Sequence, residues 1–261
     1  MKTLLFKKVK VMAAVLAMAV MAIGLAVPGH AAKKKTTVYV ITQIKGLDDN
    51  GATENFKMSY NDKGLVTETK MGSAKPVITK HSYKNGKISS EVQIEDGEKT
   101  VINYSYNKKG QIARRISTDP KGKKTVITYS YKNGKLAQIK DGDVGITYTF
   151  TYKKNLVSQM VITGKTLKKQ TIKYKYNSKK EIKKIEFSDV VQNMTYKYKN
   201  NRWQTLKVSY RFKEKANKKY DYNSTYTYTY KKLRVPASMA SKIKEQQESI
   251  ANQGGAFLYV F

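Results

Sequence analysis

One histidine, His81, stands in residues 32–261, and cysteine is absent from the whole sequence. A lone imidazole with no thiol cannot assemble a nitrogen or sulfur metal set, so metal binding would need carboxylates. The carboxylates are scattered. Asp48-Asp49 and the pair Asp141/Asp143 lie beside glycines, and "DGDVG" (Asp141–Gly145) lacks both the spacing and the closing glutamate of a calcium loop. His81 occupies the place that later repeats fill with Tyr104, Tyr129 and Tyr174, which marks it as a sheet residue. No G-x-S-x-G, phosphate loop or paired-carboxylate motif occurs. The sequence therefore predicts no catalytic residue, no metal and no cofactor.

The abundant functional groups are of another kind. Lysine and arginine number 51 against 19 acidic residues, and tyrosine numbers 20. The net charge of +32 falls only to +28 without residues 1–31, which hold four lysines and no acid. Solubility of a small domain needs a magnitude of about 2–8. The excess points to a polyanion, and repetition makes weak contacts multivalent. Candidate polyanion-binding residues are Lys173, Lys175, Lys179, Lys180, Lys197, Lys199 and Arg202, in neighbouring strands and turns. Tyrosine rings can stack on sugars or bases, and Tyr129, Tyr131, Tyr174, Tyr176, Tyr196 and Tyr198 form a candidate aromatic platform. Core and cross-strand packing is the competing reading of the same rings.

The elements that position these groups follow from a repeat. Tyr60, Tyr83, Tyr106, Tyr131, Tyr152, Tyr176 and Tyr198 close successive phrases at steps of 23, 23, 25, 21, 24 and 22 residues. Each is followed by a turn rich in Asn, Lys and Gly, then by Leu65, Ile88, Ile112, Leu136, Leu156, Ile182 or Trp203. Such a period indicates one supersecondary unit per repeat, here a β-hairpin. Alternation puts Ile146, Tyr148, Phe150 and Tyr152 on one face and Thr147, Thr149 and Thr151 on the other. Strands leaving the turns, as in "LVSQMVI", alternate less cleanly and are expected to carry bulges. The expectation is an all-β protein of serial antiparallel hairpins, about fifteen strands, forming a curved or rolled meander sheet with a short C-terminal helix.

The phrase Tyr104-Ser105-Tyr106-Asn107-Lys108-Lys109-Gly110-Gln111-Ile112 resembles the YD repeats of Rhs-type proteins, and the likeness extends from Phe56 to about Leu206. Asn or Lys stands where Asp is usual, and no toxin-like domain follows the repeats. The resemblance implies serial hairpins in an exported protein and does not carry toxin encapsulation with it.

The flanks set the expected domains. Residues 1–31 read as a signal peptide: Lys2, Lys7, Lys8 and Lys10 precede the apolar run Val11–Val27, then Pro28-Gly29 and a small-residue cleavage site. Residues 32–235 form the hairpin-repeat domain. Residues 236–261 hold a helix from Ser238 to about Asn252, stopped by Gly254, and a short terminal strand. Export without cysteine favours a bacterial source. The expected function is a secreted, non-catalytic binding module, possible partners being an anionic wall polymer or an anionic membrane surface, and less readily nucleic acid. A purely structural protein is one alternative. An outer-membrane β-barrel is another, suggested by the alternating ending Phe257, Tyr259, Phe261.

Overall fold

The computed structural model describes residues 34–257, apart from residues 50, 52 and 73. The expected signal peptide and the last four residues of the expected terminal strand lie outside them. Sixteen strands follow in order: β1 (Lys35–Asp48), β2 (Thr53–Tyr60), β3 (Val66–Met71), β4 (Val77–Lys84), β5 (Lys87–Glu95), β6 (Glu98–Tyr106), β7 (Ile112–Thr118) and β8 (Lys124–Lys132), then β9 (Lys135–Asp141), β10 (Ile146–Lys153), β11 (Leu156–Gly164), β12 (Gln170–Tyr176), β13 (Ile182–Glu186), β14 (Val190–Lys199), β15 (Arg202–Phe212) and β16 (Tyr222–Pro236). A 3-10 turn (Lys215–Tyr220) fills the basic insertion before β16, and helix α1 (Ala240–Phe257) ends the described chain. α1 passes through Gly254, where a stop is expected, so residues 254–257 are helical rather than the start of a strand.

Every strand pairs antiparallel with its sequence neighbours, and β1 pairs with β16 from Lys35↔Pro236 to Asp48↔Ser224. The sheet is a closed barrel. This corrects the open or merely rolled meander expected from the sequence, and the cause lies in the hairpins. Each of the seven hairpins carries a register shift just before its closing tyrosine, as between Ser105/Tyr106 and between Ser130/Tyr131. An extra residue in one strand bends it and increases its twist. One such bend per hairpin, always in the same place, curls the sheet until its two long edge strands meet.

The bulge also explains the imperfect alternation. In the strands leaving the turns, inward residues are spaced by three across it: Ile112 and Arg115, Ile182 and Ile185, Trp203 and Leu206. Simple parity would send the second member of each pair outward.

The tyrosines answer to the same geometry. Ladders between hairpins stop short of the tyrosine end, for example at Ser90↔Asn103 and Arg114↔Thr128. The carbonyls beyond that point lack a strand partner. Tyrosine hydroxyls supply it: Tyr60 donates to Ile41 O, Tyr83 to Val66 O, Tyr106 to Ile88 O and Tyr131 to Ile112 O, at 2.5–2.9 Å. Tyr152, Tyr176 and Tyr196 likewise donate to Leu136 O, Val157 O and Ile182 O, at 2.8–2.9 Å. Burial pushes the hydroxyls of Tyr106 and Tyr176 up to about 12, so they stay protonated donors across the physiological range.

A round barrel of this strand number leaves an aqueous channel. Here Ile139, Met160, Ile162, Ile185 and Leu206 are 0% exposed and Tyr148 and Tyr226 1%. The inward side chains join in one apolar and tyrosine core that runs from β1 to β16, with Ile250 of α1 packed against it. Removing one rim hydroxyl tests the stitching. Tyr131→Phe should cost about 1–2 kcal/mol, the penalty for an unpaired part-buried carbonyl, whereas Tyr220→Phe, at a ring 48% exposed, should cost about zero. Urea midpoints of the two variants check this.

Candidate functional site

The outward faces of the strands carry Thr, Ser, Asn and Lys. Lys45, Lys57, Lys80, Lys140, Lys173, Lys175, Lys197 and Lys207 are all exposed within strands. Of the candidate polyanion residues, Lys173 and Lys175 share the outer face of β12 and Lys197 stands on β14, with β13 between them. The stripe is interrupted there. Glu186 of β13 takes Lys175 Nζ at 3.1 Å and Lys184 Nζ at 2.7 Å, and these lysine hydrogen bonds draw its carboxyl down to about 2. Lys179 and Lys180 lie in the turn after β12, and Lys199 and Arg202 flank the turn after β14, all at the tyrosine end. Two of these cations cover rings: Lys179 Nζ lies 3.7 Å from the Tyr198 ring centre and the Arg202 guanidinium 3.8 Å from that of Tyr39.

The candidate aromatic residues sit mostly in the wall of the core. Tyr129 is buried, Tyr131, Tyr174 and Tyr196 pack against the core as half-buried rings, and Tyr176 is half-buried. The hydroxyls of Tyr131, Tyr176 and Tyr196 are held by the carbonyls named above. Tyr198 is the exception. It is exposed at the rim, and its hydroxyl donates to Glu181, which also accepts from Trp203 Nε1 at 2.8 Å and Asn177 Nδ2 at 2.7 Å.

A second set of polar groups lies inside the barrel. His81 Nδ1 is 2.8 Å from Glu91 Oε1, and Tyr104 donates to Glu91 Oε2 at 2.6 Å. Arg115, opposite Tyr104, is 6% exposed and its Nε has no hydrogen-bond partner. Burial raises the hydroxyls of Tyr104 and Tyr129 above their ordinary value, Glu91 adds to this and the Arg115 charge opposes it. The sequence reading passed over Glu91 and Arg115 because each follows a bulge, which reverses the parity on which inside and outside are assigned. His81 lies in β4, a sheet residue as its place in the repeat predicts. The Asp141/Asp143 pair forms a turn: Asp141 Oδ1 accepts from the backbone N–H of Asp143 and Val144, and Asp143 pairs with Lys123 at 3.1 Å.

Glu54 also escapes sequence reasoning. It pairs across the sheet with Gly46, whose missing side chain leaves room for the Tyr226 ring. Burial first, and the nearby Asp48 second, raise its carboxyl from 4.5 to about 7, and Oε2 has no partner.

The chain after β16 packs on the seam strands at the tyrosine end. Ile243 of α1 and Met239, just before it, lie on Val40, Leu65 and Val235. Gln247 Oε1 accepts from Ile41 N–H at 2.6 Å, at the bulge where β1 shifts register against β16, and Gln247 Nε2 reaches the Tyr60 hydroxyl at 3.2 Å. Gly64 adopts φ +78°, and a side chain there would collide with Ile243.

No protein-family model matches the chain, and no curated protein matches it. Among solved structures, a porin-like protein from Bacteroides uniformis is similar at 16% identity and a TM-score of 0.55, covering 73% of this chain and 96% of that one. A porin-like protein from Bacteroides vulgatus aligns over 73% of this chain and 98% of its own at 8% identity, with a TM-score of 0.34, too low to carry an argument. The first likeness shows a shared barrel fold.

Glu54 makes stability depend on pH with a definite sign. A carboxyl that holds its proton more tightly when folded favours the folded state below its unfolded value. That advantage is lost as pH rises from about 4.5 through about 7. Glu54→Gln should therefore match the parent near pH 4 and exceed it by roughly 2 kcal/mol at pH 8.5, after allowance for partial solvent contact. Denaturant unfolding of both proteins at the two pH values checks this.

Proposed function

We propose that this chain is an exported, non-catalytic barrel of the bacterial cell envelope that works with its outer wall and not through a lumen. The carrying observation is the inversion of faces: packed Ile, Met and Tyr fill the interior, while lysine and threonine cover the exterior. A polar wall with a charge of about +28 outside residues 1–31 suits electrostatic attachment to an anionic surface polymer of the wall-glycopolymer type. The phrase from Tyr104 to Ile112 and its counterparts resemble the YD-repeat pattern, and we read the protein as a short member of that class without a toxin domain.

A second reading is an outer-membrane β-barrel. A closed sixteen-strand antiparallel sheet and the fold shared with a porin-like protein favour it, and both observations are silent on polymer binding. The outward lysines favour the first reading. A bilayer around this wall would set mid-strand lysines such as Lys80, Lys140 and Lys173 against hydrocarbon, at about 2–4 kcal/mol each near the midplane.

Two measurements on the purified chain separate the readings. An envelope-surface protein should stay monodisperse without detergent, show no heat-modifiable migration, and pellet with bacterial walls in a manner lost between 50 and 500 mM salt or after removal of the anionic polymer (about tenfold or more, by counterion release). Detergent dependence with heat-modifiable migration would establish the membrane barrel instead. Salt-independent pelleting would remove the electrostatic mechanism.

A further inference from the structure

β1 and β16 run past the rest of the barrel. β1 meets β2 only from Gln43 onward, and β16 meets β15 only as far as Thr227. Beyond these points Lys35–Ile41 and Tyr230–Pro236 pair with each other alone, as a two-stranded ribbon at the tyrosine end. One face of the ribbon, Val38, Val40, Leu233 and Val235, packs on α1 and Leu65.

The other face is basic and aromatic. Antiparallel partners share a face, so Tyr39 stands beside Lys232 and Thr37 beside Arg234, with Lys35 at the tip. Tyr39 is 40% exposed. The Arg202 guanidinium lies over its ring at 3.8 Å, and Lys232 Nζ is 6.0 Å from the ring centre. No acidic residue occurs from 33 to 47 or from 222 to 244. Ion pairs are found instead on Lys70, Lys75, His81, Lys123, Lys175, Lys184 and Arg211.

We propose that this ribbon face is a docking surface for an anionic phospholipid bilayer. A cluster of four to eight Lys and Arg with an exposed tyrosine is the composition that suits the charged, half-polar headgroup layer. The sequence adds a distance argument. The apolar run ends at Val27 and the ribbon begins at Lys35, so at most about 28 Å of extended chain separates them. While that run is held in a membrane, the ribbon is the part of the barrel kept within reach of its surface. The wall lysines Lys80, Lys99 and Lys140 lie on β4, β6 and β9, none of which adjoins the ribbon's own pair. The inference rests on the export reading and names a second contact, distinct from the polymer-binding wall.

The test uses the chain from residue 32, which contains every described element, and flotation with vesicles of phosphatidylcholine with or without 30% phosphatidylglycerol. Lys35→Gln/Lys232→Gln/Arg234→Gln removes three ribbon charges, and Lys80→Gln/Lys99→Gln/Lys140→Gln removes three from the wall. Both sets are exposed, and circular dichroism confirms that each variant is folded. We expect binding only to the anionic vesicles, weakened roughly tenfold or more in the ribbon variant and less than about threefold in the wall variant. Equal losses in the two variants would reduce the effect to net charge and overturn the proposal. So would absence of binding to anionic vesicles, and if wall pelleting persists in that case, the ribbon inference alone fails and the envelope reading stands.

Discussion

A backbone carbonyl that has lost its strand partner must find another donor, and this chain supplies a tyrosine hydroxyl at seven places, six of them on the tyrosine that closes a hairpin and the seventh on Tyr196. The bulge that ends a hairpin bends its second strand away from the next hairpin, and the ladder between them stops early. The orphaned carbonyl is then reached by the tyrosine that closes the following hairpin, as Tyr131 reaches Ile112 and Tyr176 reaches Val157. Bend and bond depend on each other. Without the bulge the carbonyl would pair with backbone, and without the hydroxyl the bulge would leave a buried polar atom unsatisfied. The repeated Tyr-x-Tyr phrase is thus a structural device first: its inner ring fills the core and its outer ring stitches the rim.

Curvature repeated at a fixed place closes the sheet, and bulky inward side chains pack its interior. Rows of tyrosine, isoleucine and methionine fill the space between walls that would otherwise enclose water. The exterior then has to be the polar face. A closed barrel has no edge to protect, so the strand lysines are not needed against edge-to-edge aggregation in the folded state. Acidic neighbours pair with some of them, as Glu186 does between Lys175 and Lys184 and Glu68 beside Lys70.

The seam between the first and last strands carries a different burden. Its bulge at Ile41 is gripped from both sides, by the Tyr60 hydroxyl on the carbonyl and by Gln247 of α1 on the N–H. The helix is therefore part of the closure and not an appendage. Interior polar groups gather along β4 to β7, where His81, Glu91 and Tyr104 satisfy one another and Arg115 lies beside them.

The hairpins, their turns, the inward and outward faces of the strands before each turn, and the basic exterior were legible in the sequence, because each depends on local geometry. Asn85-Gly86 and Asn133-Gly134 adopt the positive φ that a two-residue turn demands, and alternation with period two assigns Ile146 to Tyr152 without reference to the rest of the chain. Closure was not legible, since pairing of Lys35 with Pro236 depends on curvature summed over fourteen intervening strands. Glu54, Glu91 and Arg115 were hidden for a related reason: a one-residue bulge reverses parity, and a buried carboxyl such as Glu54 is known only by what surrounds it in three dimensions. The ribbon patch likewise joins Tyr39, Arg202 and Lys232, which are far apart in the chain. Sequence determined the repeating unit and its charge, and the tertiary structure decided which face would be enclosed and where the ends of the chain would meet.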